Sequence, residues 1–140
     1  MRQKLAVYFP IILLLFAVGL PTRIAPINLP YWYVTYAGDF IWAMMIYFLY
    51  RLFFRWELFS TFLITLTTTY LIEISQLFHP AWLDYLRSFK LVGLIIGYSF
   101  LWSDIVAYTA GIMLAATEDK IIVSYLNGKL ESKLFASKNA

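Results

Sequence analysis

The sequence predicts an all-α membrane protein: a four-transmembrane-helix bundle with both termini inside and a short interfacial or re-entrant helix before the last span. Three observations carry that expectation. The first is composition: of 140 residues, 62% are hydrophobic and 14% charged, with a mean hydropathy of +0.73. A soluble domain of this length would lack the polar side chains needed to cover its exterior. The second is four apolar stretches, each near the roughly 20 helical residues that cross a hydrocarbon core of about 30 Å. The third is the placement of Lys and Arg. With the N-terminus inside, Arg2, Lys4, Arg51, Arg55, Lys120, Lys129, Lys133 and Lys138 are cytoplasmic, and only Arg23, Arg87 and Lys90 lie outside, the bias expected of a multi-pass inner-membrane chain.

The first span covers residues 5–20, with a kink expected at Pro10. A cleaved signal peptide is the alternative, since "MRQK" resembles an n-region and Ala17-Val18-Gly19 a cleavage site. Pro21 directly after Leu20 disfavours cleavage, so the stretch is expected to be retained. The second span covers 36–54 and the third 58–78. Residues 91–117 as one helix would run to about 40 Å, longer than the hydrocarbon requires. A break near Gly97-Tyr98-Ser99 is therefore expected, with an interfacial segment over 82–97 and the last span over 100–117. Residues 118–140 are expected to form a weakly amphipathic cytoplasmic tail.

The external loops "PYWYVTY" (30–36) and "HPAWLDYL" (79–86) are rich in Tyr and Trp. Such rings favour the headgroup layer, so an aromatic belt is the first expectation and a ligand-gripping rim the second.

The third span carries the chemistry. Thr61, Thr65, Thr69, Glu73 and Gln76 recur at spacings of four, four, four and three, which is one helical face. Glu73 and Gln76 are thereby expected to point into the bundle, and the threonines to bond their own backbone or a neighbouring helix. Asp39 opens the second span, and Asp104, Tyr108 and Gly111 share a face of the fourth with Gly97. Gly93 and Gly97 form a small-xxx-small pair suited to close helix packing. Arg23 and Arg87 are the expected counter-charges for Asp39, Glu73 and Asp104. The candidate cluster is thus Asp39, Glu73, Gln76, Arg87, Asp104, Tyr108 and Arg23, all in the external half.

Three blocks, "GDFIWAMMIY", "EISQLFHPAWLDYLR" and "LVGLIIGYSFLWSDIVAYTAG", resemble the domain of unknown function 2809 family of small bacterial integral membrane proteins, grouped with the VanZ-like superfamily. The resemblance runs from Gly19 to Gly111. VanZ-like proteins carry Glu-x-x-Gln, then Arg, then Asp followed four residues later by a polar residue and then Gly. Glu73 and Gln76 match the first element, Arg87 the second, and Asp104, Tyr108 and Gly111 the third. Tyr108 stands where Asn is usual, and the interval from Arg87 to Asp104 is longer than in VanZ. The resemblance implies the bacterial cell envelope and no defined reaction.

No GxSxG, HExxH, P-loop or dinucleotide-binding glycine pattern occurs, so no catalytic residue and no cofactor is assigned. His79 precedes Pro80 and reads as a loop residue. A hard cation on Asp39, Glu73 and Asp104 would compete with the two arginines. The absence of cysteine excludes disulfides and thiolate chemistry. Scattered basic residues point to membrane orientation rather than nucleic acid. Membrane lipids, an anionic headgroup in particular, are the expected partners, with a homo-oligomer left open. Three functions remain: a binder of an envelope-lipid headgroup, a structural or accessory subunit whose ion pairs only fix packing, and a membrane-embedded enzyme using Glu73 or Asp104 on a lipid.

Overall fold

The computed structural model describes residues 2–24, 30, 33–54 and 56–138, with the side chains at 2–4, 23, 24, 34, 35, 94, 130 and 132–138 outside the description. The side chain of Arg23, the whole of Arg55, and residues 31 and 32 of the 30–36 loop fall outside it. All regular structure among the described residues is helical: α1 (Arg2–Ile24), a π-helical turn (Tyr33–Ala37), α2 (Gly38–Phe53), α3 (Leu58–Ser75), α4 (Ala81–Ser88), α5 (Lys90–Ile96) and α6 (Trp102–Lys138).

Two of these helices, over Leu5–Thr22 and Leu58–Ser75, are long and apolar enough to cross a membrane. Each turns large apolar side chains outward: Leu13, Leu14 and Phe16 on α1, Phe59, Leu63 and Leu71 on α3. The 16-residue α2 is shorter, with Asp39 and Arg51 near its ends.

The core runs along α2. Ala43, Met44, Met45, Tyr47 and Phe48 pack with Tyr8 and Ile12 of α1 and with Tyr108, Ile112 and Ala115 of α6. α3 packs against α6 and α2. Gly111 brings α6 and α2 into backbone contact, since a Cβ there would lie 2.4 Å from the Phe40 carbonyl oxygen. Thr22 near the end of α1 meets Gly38 at the start of α2, and Tyr8 near the start of α1 bonds Asp119 far along α6. α1 therefore runs antiparallel to α2 and α6, while α2 and α6 run parallel, Asp39 meeting Tyr108 at one end and Tyr47 meeting Asp119 further along. The end of α1, the start of α2, the end of α3 and the start of α6 share one end of the bundle.

Residues 91–117 are not one helix. α5 stops at Ile96 and α6 begins at Trp102, either side of Gly97, whose φ of 76° and ψ of 179° lie where only glycine is comfortable. Nor does α6 end at Thr117. It continues as one helix through Lys138, because no proline or cap interrupts it, so part of the expected tail is continuous with the bundle.

Candidate functional site

The threonine stripe of α3 is buried: Thr61, Thr65, Thr69 and Glu73 face inward. Each threonine hydroxyl donates to a carbonyl four residues back, Thr61 to Glu57 (3.0 Å), Thr65 to Thr61 (2.7 Å) and Thr69 to Thr65 (3.0 Å). Satisfied this way, they cost little to bury, and the stripe ends in a carboxylate that cannot satisfy itself.

Glu73 is 0% exposed, and other segments supply its donors. The Leu101 N–H reaches Oε1 at 2.9 Å, the Gln76 amide reaches Oε2 at 3.0 Å, and the Tyr108 hydroxyl lies 3.3 Å from Oε2. That hydroxyl also stands 3.4 Å from Oδ1 of Asp39. Both distances are long for an O–H donor, and one proton serves two carboxylates. Asp104, 9% exposed in the first turn of α6, accepts from Ser103 at 3.0 Å. The charges of Asp104 and Asp39 both act on Glu73. Asp39, Asp104 and Tyr108 engage further groups besides these. Asp39 and Asp104 each sit in the first turn of their helix, where the helix dipole favours negative charge.

Among the sequence-predicted residues, Asp39, Glu73, Gln76, Asp104 and Tyr108 thus converge at one end of the bundle. The side chain of Arg23 lies outside the described residues. Arg87 is 2% exposed, but its partners are not the expected ones. Nη1 donates to the Phe78 carbonyl (2.8 Å) and Asp84 (3.1 Å), and Nη2 donates to the Ser75 carbonyl (2.8 Å). A cation at a helix C-terminus neutralises carbonyls left without helical partners. Arg87 therefore closes the end of α3 and ties α4 to it, rather than pairing with Glu73 or Asp104. Asp84 also meets His79 Nδ1 at 3.1 Å. The His79 contact first, and Arg87 after it, hold the Asp84 carboxyl below its ordinary range.

The small-xxx-small pair serves this junction too. A Cβ on Gly97 would lie 2.5 Å from the Gln76 amide nitrogen, and one on Gly93 would overlap the Tyr98 hydroxyl. That hydroxyl donates to the Arg87 carbonyl at 2.9 Å. Gly93 and Gly97 therefore fold α4, α5 and the start of α6 onto the end of α3, instead of lining a crossing of long helices.

A second polar cluster occupies the opposite end and escapes the sequence reading. Asp119, 0% exposed, accepts from Tyr8 (2.5 Å) and Tyr47 (3.0 Å) and pairs with Arg51 Nε at 2.5 Å. Arg51 also donates from Nη1 to the Trp56 carbonyl, and its guanidinium lies 5.9 Å from the Tyr8 ring centre. The available signal was spacing: Tyr108, Ile112, Ala115 and Asp119 share one face of α6, and Tyr47 and Arg51 one face of α2.

Among the described residues no three His, Cys, Asp or Glu side chains are placed to hold a metal ion.

Residues 28–112 match the family model described as protein of unknown function (DUF2809). That span holds Asp39, Glu73, Gln76, Arg87, Asp104 and Tyr108, and from the opposite cluster Tyr47 and Arg51 but not Tyr8 or Asp119. No solved structure matches the chain.

Proposed function

The chain belongs to the DUF2809 family of proteins of unknown function, and from that membership we propose a VanZ-like protein of the bacterial cytoplasmic membrane that crosses the bilayer four times and holds a lipid headgroup at the outer end of its bundle. The observation that carries this reading is the convergence of Asp39, Glu73, Asp104 and Tyr108 from three helices at one end of the bundle. Polar side chains at such depth are costly and mark sites. α2 and the apolar part of α6, both packed in the core with α1, supply the two further spans.

Arg87 acts here as a positioning residue, because its Nη donors are on carbonyls and Asp84. Asp39, only partly buried, is the carboxylate best placed to meet a ligand. A wholly anionic headgroup suits these carboxylates poorly. A zwitterionic headgroup, turning its cationic group toward Asp39, suits them by charge.

Native mass spectrometry of the detergent-purified chain tests this. A retained phospholipid is expected, lost in Asp39→Asn while the thermal midpoint holds. A wild-type chain that carries no lipid sinks the reading. Single cysteines at Tyr85 and Gly128, in a chain with none of its own, should react with an impermeant reagent from opposite faces of the membrane.

A second reading, a subunit whose polar network only fixes packing, is favoured by Glu73 itself. Full burial with donors from Leu101, Gln76 and Tyr108 is what a register-fixing group needs. It predicts loss of stability, and no bound lipid, across the Asp39, Glu73 and Asp104 variants. The same burial leaves Glu73 no room to act as an acid or base on a lipid.

A further inference from the structure

Beside the polar end lies a feature that neither cluster accounts for. A groove of about 370 Å³ runs between α1, α2 and α5, lined by apolar residues that include Leu15, Gly19, Ile41, Trp42, Leu91 and Ile95. Its rim is open sideways: Leu91 is 76% exposed and Ile95 51%. One wall is α1, a helix long and apolar enough to cross a membrane, so the opening faces the layer where hydrocarbon chains lie. Along α2 the groove extends from Gly38 to Met45, about 10 Å at the helical rise, which is room for a segment of one extended chain.

The ends of the groove differ. Toward its middle it is bounded by Leu15 and Met45 and stays apolar. At its outer end α1 and α2 close together, a Cβ on Gly38 falling 2.7 Å from the Thr22 hydroxyl. The next residue after Gly38 is Asp39, and the residue before Leu91 is the exposed Lys90. A carboxylate and an ammonium thus stand one residue beyond the apolar lining, Asp39 turned toward Tyr108 and Lys90 exposed, within reach of a headgroup rather than of the chain.

We infer that this groove holds one acyl chain of a phospholipid whose headgroup bears both a phosphate and a primary ammonium, the phosphate on the Lys90 side and the ammonium toward Asp39. Hydrophobic burial holds the chain, and charge complementarity selects the headgroup. The inference rests on the headgroup reading above and gives its ligand a class and a second point of attachment.

Trp42 is the reporter. The other four tryptophans are changed to Phe, and the full chain is reconstituted in phosphatidylcholine vesicles. These contain, at equal mole fraction, brominated-chain phosphatidylethanolamine or brominated-chain phosphatidylglycerol. Trp42 should be quenched several-fold more strongly by the ethanolamine lipid. That preference should vanish in Leu15→Phe, which fills the groove, and persist in Leu14→Phe, which changes an outward residue that is 65% exposed. Native mass spectrometry of Leu15→Phe and Leu14→Phe with all tryptophans intact repeats the comparison should the reporter chain fail to fold. Equal quenching by both lipids means an unselective chain of the surrounding bilayer and overturns the inference. So does a Trp42 shielded from both lipids by a second copy, detected as a cross-link between Ile95→Cys chains. A lipid retained by the wild type but unaffected by Leu15→Phe overturns the groove alone and leaves the headgroup reading standing. No retained lipid and no quenching overturns both.

Discussion

The backbone N–H of Leu101 donates to Oε1 of Glu73 at 2.9 Å, so the residue just before α6 is held by a carboxylate at the end of α3. Glu73 is fully buried, and a donor or acceptor orphaned at such a site keeps its full desolvation cost. Glu73→Ala removes the acceptor for Leu101, Gln76 and Tyr108 together. It is expected to lower stability by about 2–4 kcal/mol, while Glu73→Gln, which keeps an oxygen for Leu101, costs less than half of that. Thermal unfolding in detergent measures the difference. An unchanged midpoint in Glu73→Ala would show that the contact organises nothing.

Glycine substitutions test the junction from the backbone side. At Gly97, φ of 76° and ψ of 179° exclude most side chains, and the Gln76 amide occupies the space a Cβ would take. Gly97→Ala should cost roughly 1–3 kcal/mol from backbone strain alone. Gly128 has nothing within 4 Å of a built Cβ and lies inside α6. Gly128→Ala should therefore be neutral or stabilising by up to about 1 kcal/mol. Gly97→Ala must lower the unfolding midpoint and Gly128→Ala must not; any other outcome contradicts the local backbone geometry.

How much of this was legible in the sequence depends on range. The Thr61-Thr65-Thr69-Glu73 face follows from helical period alone, and the structure buries all four. The helix break at Gly97 follows from a length mismatch and a glycine. Arg87 was legible as a cation of the polar end, but neither its burial nor its choice of partners was. A guanidinium chooses between a carboxylate and open helix carbonyls according to where the chain turns after α3, and Leu77, Phe78 and Pro80 decide that locally. Asp119 was harder to reach: helical spacing puts it on the face of Tyr108, Ile112 and Ala115, but it stands in the charged run Glu118-Asp119-Lys120 and its Tyr8 partner is 111 residues away.

The Arg51–Asp119 pair carries its own prediction. Removing one member of a buried pair strands the other, which costs about 3–5 kcal/mol, whereas replacing both with apolar groups of similar size is often neutral. Asp119→Ala and Arg51→Ala should each destabilise strongly, and Arg51→Met with Asp119→Leu should recover most of the loss. The same reasoning makes truncation after Thr117 destabilising, although that cut removes only the expected tail. A truncated chain as stable as the whole in detergent would contradict the burial of Asp119.

The loop between α3 and α4 is expected to respond to acid. Asp84 is held below its ordinary range by His79 first and Arg87 second. A carboxylate whose folded value is depressed contributes stability that is present above its unfolded value, about 3.9, and is lost as pH falls through the folded value. The contacts from Asp84 to His79 and Arg87 should therefore persist at neutral pH and release only in strong acid. Hydrogen exchange along α4 (Ala81–Ser88) reads this directly, in a short helix whose Arg87 also bonds Ser75 and Phe78. Protection should fall below about pH 4 in the wild type, and the step should be absent in Asp84→Asn, which is less protected throughout. A wild-type profile that is flat through this range, or one matched by Asp84→Asn, would remove Asp84 from the group that fastens α4 to α3.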